Sequence, residues 1–142
     1  MFSPRSALLL ALGGLLTVAG AAPVAADSGL VNGDYRVRVD GSEWGVWTFA
    51  LDCAVAVDGC TAQVDTGPNG WSAVATLSAG RWSLNRTSAT LFSCGDGSSS
   101  PGELRAEWKA DSLSGSLLLV PEGKRCGGSD APLRGSLRLI RI

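Results

Sequence analysis

From residue 35 onward the chain alternates apolar and polar positions with period two, the mark of strands that bury one face. Tyr35, Val37 and Val39 fall on one face of the first segment, and Arg36 with Arg38 on the other. Gly41-Ser-Glu43 predicts a turn. Residues 46–53 predict a second strand, with Trp47, Phe49, Leu51 and Cys53 inward, and Thr61–Asp65 a shorter third one carrying Ala62 and Val64 inward. Gly67-Pro-Asn-Gly70 is the strongest turn signal in the chain, because Pro and Asn-Gly supply the dihedrals a reversal needs. Trp71, Ala73, Ala75 and Leu77 then share a face, Ser78-Ala-Gly80 turns, and residues 81–85 return as a hairpin partner with Trp82 and Leu84 inward.

The second half repeats the pattern. Residues 89–94 predict a short strand and residues 95–102, rich in Gly and Ser, a flexible polar loop. Leu104, Ala106, Trp108 and Ala110 alternate against Arg105, Glu107 and Lys109 in the clearest half-buried strand. After the Asp111-Ser112 turn come a strand over 113–120 and a long loop over 121–132, which Cys126 would tie to the core. The chain closes with a strand over 133–142, Arg134, Ser136 and Arg138 facing away from Leu133, Leu137 and Leu139. Eight or nine short strands joined mostly by tight turns predict an all-β fold. The expected architecture is an antiparallel up-and-down meander closing into a small barrel, with a two-sheet sandwich as the alternative. In a closed meander the first and last strands are neighbours, which removes the exposed edges.

The first 26 residues break this pattern. Arg5 precedes an apolar run over 7–18, and small residues lead up to Asp27, so residues 1–26 read as a secretory signal peptide cut after Ala26. The run is shorter than the ~20 residues a membrane span requires and holds two adjacent glycines. Residues 27–142 are then one secreted β domain, with no stable membrane span in the mature chain and no room for a second domain. The full chain carries 12 Lys+Arg against 13 Asp+Glu; removing Arg5 leaves 11 against 13, a net of −2 that argues against phosphate-gripping nucleic-acid binding. The sequence contains no His, which removes Ser-His and Cys-His nucleophile pairs and His-bearing zinc sites.

Cys53, Cys60, Cys94 and Cys126 all lie in the mature part, and an even count in a small exported domain predicts two disulfides. Of three pairings, Cys53–Cys60 with Cys94–Cys126 is preferred, because Cys53 ends one apolar run and Cys60 begins the next, stapling one hairpin. No C-x-x-C pair is present, so no metal site and no cofactor is expected.

Several strings in order resemble a group of small exported mycobacterial (actinobacterial) domains of unassigned function. They are Trp47-Thr-Phe49 before Cys53, Gly59-Cys60 with Ala62 and Val64, Trp71, Gly80-Arg-Trp82, Cys94 with Asp96-Gly97, Trp108, Leu113-Ser-Gly115 and Cys126-Gly127. They span most of the mature chain. The resemblance implies an exported β domain with two disulfides and carries over no catalytic residue.

Candidate chemistry is sparse. Glu103 and Glu107 share an outward parity four residues apart, which puts their Cα atoms ~13 Å from one another, beyond the usual carboxylate spacing of glycosidases. Asp58, Asp65 and Asp96 sit in turns, where Asp bonds nearby backbone. Ser98 to Ser100 offer hydroxyls without a base, and Asn85-Arg-Thr87 fits a glycosylation sequon, which means little if the source is bacterial.

Five tryptophans are unusual for this length. Trp47, Trp71, Trp82 and Trp108 fall on inward parity and read as core, although Trp71, Trp82 and Trp108 would line an apolar pocket if the barrel were wide enough. Trp44 lies before the second strand, where an exposed indole would stack on a sugar ring or enter lipid. Arg36 and Arg38 with Arg134 and Arg138 would form a basic patch for phosphate or carboxylate groups if the terminal strands pair; solubilising charge is the plainer reading. The binding candidates are therefore Trp44, Arg36, Arg38, Arg134 and Arg138. The leading expectation is a secreted, non-enzymatic binding or structural domain acting on an envelope or extracellular component. The alternative is a calycin-like carrier of a small apolar ligand, which needs an internal cavity. A hydrolase, or an inhibitor of one, ranks third.

Overall fold

In the computed structural model, which describes residues 29–142, every strand pairs antiparallel with its sequence neighbours and the last pairs with the first. The order is β1 Gly33–Val39, β2 Ser42–Leu51, β3 Thr61–Asp65, β4 Ser72–Ser78, β5 Arg81–Ser93, β6 Ser99–Lys109, β7 Ser114–Pro121 and β8 Leu133–Arg141. Closure decides between the two expected architectures: the protein is a barrel and not a two-sheet sandwich. The signal peptide expected over residues 1–26 lies outside the described residues.

Local chemistry explains the turns. Asp40 and Gly41 both have positive φ (52° and 81°), as do Ala79 and Gly80 (51° and 75°). Two consecutive positive φ values make type I′ turns, whose twist matches that of the flanking strands. The first turn is thus Asp40–Gly41, and Ser42 and Glu43, read from sequence as turn, already belong to β2.

Three other expectations need correction. The strands expected over 81–85 and 89–94 are one strand, β5, with a register shift between Ser88 and Phe92. Four steps on β5 there match two on β6, an even excess that leaves Phe92 on the buried parity of Trp82 and Leu84. The polar loop over 95–102 is shorter than expected, since β6 begins at Ser99. Its Ser-Pro-Gly composition imitates a loop, but Ser100 is buried, pairs with Phe92 and accepts a hydrogen bond from the Cys126 amide (3.3 Å). Leu133, expected inward, is exposed because it starts β8 at the barrel end, beyond the packed interior.

Inward residues form one continuous core, and the charged parity faces out. That arrangement is the reverse of a lipid-spanning barrel, whose outer face is apolar. Among the described residues no helix is long and apolar enough to cross a membrane. A column of aromatic rings fills the centre: Tyr35 meets Phe49 edge-on (5.3 Å), Phe49 meets Trp108 (5.8 Å), Trp108 meets Trp47 (6.4 Å) and Trp47 meets Trp71 (5.4 Å).

Both predicted disulfides form, Cys53–Cys60 and Cys94–Cys126, consistent with an oxidising compartment. The first closes the β2–β3 connection at one end, called lower below, together with the turns at 79–80 and 110–113. The second ties the loop over 122–132 to the end of β5 at the opposite, upper end. A short strap, residues 29–32, runs under the lower end. The Val31 amide donates to the Tyr35 hydroxyl (3.0 Å), which donates back to the Val31 carbonyl (3.2 Å), and the Leu51 amide donates to the Asn32 side chain (2.7 Å).

A candidate binding site at the upper mouth

Trp44 is placed differently from expectation. It lies within β2 and not before it, at a bulge: Val37 faces Gly45 while Arg38 faces Glu43, so Trp44 has no register partner on β1. The bulge turns Trp44 toward the upper mouth, where its side chain is 45% exposed.

Trp71 ends the aromatic column at that mouth, half-buried rather than sealed in the core. The loop that delivers it is closed by three hydrogen bonds between two residues. The Trp71 amide donates to Thr66 Oγ1 (2.7 Å), and the Thr66 amide and hydroxyl both donate to the Trp71 carbonyl (3.0 Å each). Asp65 accepts from the Gly67 amide (2.9 Å), the turn role its sequence position implies. The aromatic platform is therefore preorganised.

Arg86 was not singled out from the sequence. It continues the inward parity of Trp82 and Leu84 on β5, and at the mouth its guanidinium lies 5.1 Å from the Trp71 ring centroid. Trp44, Trp71 and Arg86 share a recess of about 320 Å³ with Asn69, Ser88 and Thr90, over an apolar floor that includes Leu104. The recess thus combines two indole faces, one cation, one amide and two hydroxyls, and its lining contains no carboxylate. The signal available in the sequence was a charged residue on an otherwise apolar parity.

The four arginines expected to form a patch do not stay together. Terminal strand pairing sets Arg38 directly opposite Arg138, and both border a surface depression with Ser136 and Gly41. Arg36 instead pairs with Glu43 (2.7 Å). Arg134 faces Leu118 of β7 and borders a different depression with Arg105, Asn85 and Ser83. Asp40 flanks the Arg38–Arg138 pair but is committed elsewhere: its carboxylate accepts from the Ser136 amide (2.8 Å) and hydroxyl (2.9 Å), which hold its pKa below the usual 3.8.

The remaining carboxylates also have local roles. Glu103 accepts from Arg105 (2.7 Å), a bond that lowers the pKa of Glu103 and raises that of Arg105, and Glu107 pairs with Arg81 (3.3 Å). The Ser98 hydroxyl and amide (3.0 Å) donate to Asp96 and lower its pKa. None of these groups lines the upper recess.

Compared with protein-family models, with curated proteins and with solved structures, the chain matches none.

Proposed function

We propose that the chain is an exported, non-enzymatic binding domain of the cell envelope or extracellular space whose upper mouth takes an acidic saccharide. The observation that carries this reading is the convergence of Trp44, Trp71 and Arg86 from β2, β4's leading loop and β5 in one polar-rimmed recess. Indole faces cover the C–H faces of sugar rings, while hydroxyl, amide and guanidinium groups bond their oxygens. Arg86 is the charged group of the lining, which favours a uronate or phosphate-substituted sugar over a neutral one.

Export is supported by the leader-like residues 1–26, by the two disulfides and by the resemblance to small exported mycobacterial domains. The non-enzymatic reading is supported by the absence of His in the sequence and by carboxylates that serve ion pairs and turns.

The test is binding to an array of neutral and uronate-containing oligosaccharides. Acidic members should bind, and Trp44→Ala or Arg86→Ala should each weaken binding about tenfold, roughly the loss of one stacking or charged contact. Full retention by both variants, or no acidic oligosaccharide bound, would overturn the proposal.

A second reading rests on Arg38 and Arg138. Like charges directly opposed across a ladder are destabilising, and neither belongs to an ion pair found among the described residues. An anionic envelope component docked there would relieve the repulsion. Envelope pull-downs with Arg38→Ala/Arg138→Ala protein distinguish this face from the upper mouth.

A further inference from the structure

The lining of the upper recess reaches the start of β8. Leu119 of β7 belongs to that lining and pairs with Leu133, the first residue of β8, which is 43% exposed. Arg134 follows at once on the outward parity, and Ser136 and Arg138 continue it down the outside of the barrel, all three exposed. Leu133 and Arg138 are separated by about 17 Å of extended strand.

Charge along this line is of one sign. No carboxylate stands on β8, and the outward positions of β7 beside it are Ser114, Ser116, Leu118 and Val120. On the other side Arg38 of β1 faces Arg138 directly. Arg38, Arg134 and Arg138 belong to no ion pair found among the described residues. The neighbouring carboxylates are engaged: Asp40 by Ser136, Glu43 by Arg36, Glu103 by Arg105 and Glu107 by Arg81. In the loop over 122–132, Glu122 and Asp130 are balanced by Lys124 and Arg125. Solubilising charge normally mixes both signs, whereas this line presents unpaired cations alone.

We infer that the ligand is an extended acidic polysaccharide: one acidic unit occupies the upper recess, and the chain runs over Leu133 and down β8, its later carboxylates meeting Arg134 and then the Arg138–Arg38 pair. Forked guanidinium–carboxylate bonds suit these contacts. Ser116 and Ser136, paired across the β7–β8 ladder between the arginines, offer hydroxyls to the sugar oxygens. This path rests on the acidic-saccharide reading of the upper mouth and specifies its ligand as a polymer. A chain already held at the mouth meets β8 at high effective concentration, so the second contact adds affinity without a deep pocket.

The test is calorimetric titration with digalacturonate and octagalacturonate at about 0.15 M salt, where exposed charges beyond ~8 Å are largely screened. Wild type should bind the longer oligomer about a hundredfold more tightly. Arg134→Gln/Arg138→Gln, at exposed positions, should cost the octamer at least about tenfold and leave the dimer unchanged. Arg86→Ala should weaken both oligomers about tenfold. Arg81→Ala/Lys109→Ala, which removes equal charge at the lower end, should change neither. If the dimer binds but the octamer gains less than about tenfold, or keeps its affinity in the β8 variant, or loses as much in the lower-end variant, the polymer path fails and the reading of the mouth stands. If the octamer needs the β8 arginines but neither Trp44 nor Arg86, the reading of the mouth fails and the joined path with it. If neither oligomer binds, the path fails, and the oligosaccharide array decides the mouth.

Discussion

Gly115 offers the sharpest test of how the barrel holds both mouths in place. It sits on β7 opposite Trp108 of β6, and no positive φ forces glycine there. Space does. A Cβ at residue 115 would press against the Glu107 carbonyl oxygen and lie 2.6 Å from Trp108 Cα and 2.7 Å from Glu107 C, inside the 3.0 Å that real Cβ atoms keep. All three neighbours are backbone, so relief requires the β6–β7 ladder to separate beneath the aromatic column. Overpacking of this kind destabilises by about 1–3 kcal/mol, and a loosened ladder loses about 1 kcal/mol for each hydrogen bond that lengthens. We expect Gly115→Ala to destabilise by about 3 kcal/mol, which for a domain of this size lowers Tm by roughly 10 °C. The control is Gly95→Ala, where an added Cβ meets nothing within 4 Å. That change should be neutral or slightly stabilising, within about 0.5 kcal/mol, because Ala restricts the unfolded chain. Urea denaturation followed by tryptophan fluorescence measures both. A Gly115→Ala midpoint equal to wild type, or equal losses in the two variants, would refute the close-approach reasoning.

Three further outcomes are expected. Cys94 and Cys126 are 32 residues apart and Cys53 and Cys60 only 7, so loop-closure entropy predicts losses of about 3.7 and about 2.4 kcal/mol when each bridge is replaced by Ser. Denaturant midpoints should rank the Cys94–Cys126 knockout as the less stable; the reverse order contradicts the entropic account. The Asp40 carboxyl should titrate below 3.8 in ¹³C NMR, because the bonds from Ser136 favour its charged form. Its folded pKa is depressed, so its contribution is present above 3.8 and lost as pH falls through the lower, folded value. Asp40→Asn should therefore show a shallower acid-side loss of stability, and an unchanged acid limb would sink the assignment. Finally, a double-mutant cycle on Arg86→Ala and Trp71→Leu should give a coupling of about 0.5–1 kcal/mol, the range of a solvent-accessible cation–π contact. Additive losses would mean that the stacking contributes nothing.

Period-two alternation alone identified β1, β3, β4 and β8 and nearly all of the buried set, including Val37, Phe49, Ala62, Trp82 and Trp108. It could do so because inward and outward parity is a property of neighbouring residues on one strand. The cysteine pairing was legible for a related reason: the short Cys53–Cys60 separation left only one economical hairpin staple. Alternation failed where a ladder overrode composition, as at Ser99–Gly102, whose polar and kinked sequence is held in β6 by β5 and by the Cys126 loop.

Closure and the mouths belong to the tertiary structure. Which outward arginines meet depends on the register between β1 and β8, and these strands lie at opposite ends of the described chain: Arg38 meets Arg138, while Arg134 lies four pairs further along the β7–β8 ladder, opposite Leu118. Likewise, Trp44, Trp71 and Arg86 come together only because a bulge in β2, a closed loop before β4 and the parity of β5 end at one level of the barrel. Sequence period sets which face a side chain takes, a local matter of pleat. The level at which it emerges is set by the accumulated stagger of eight paired strands, and no window of the chain contains that sum.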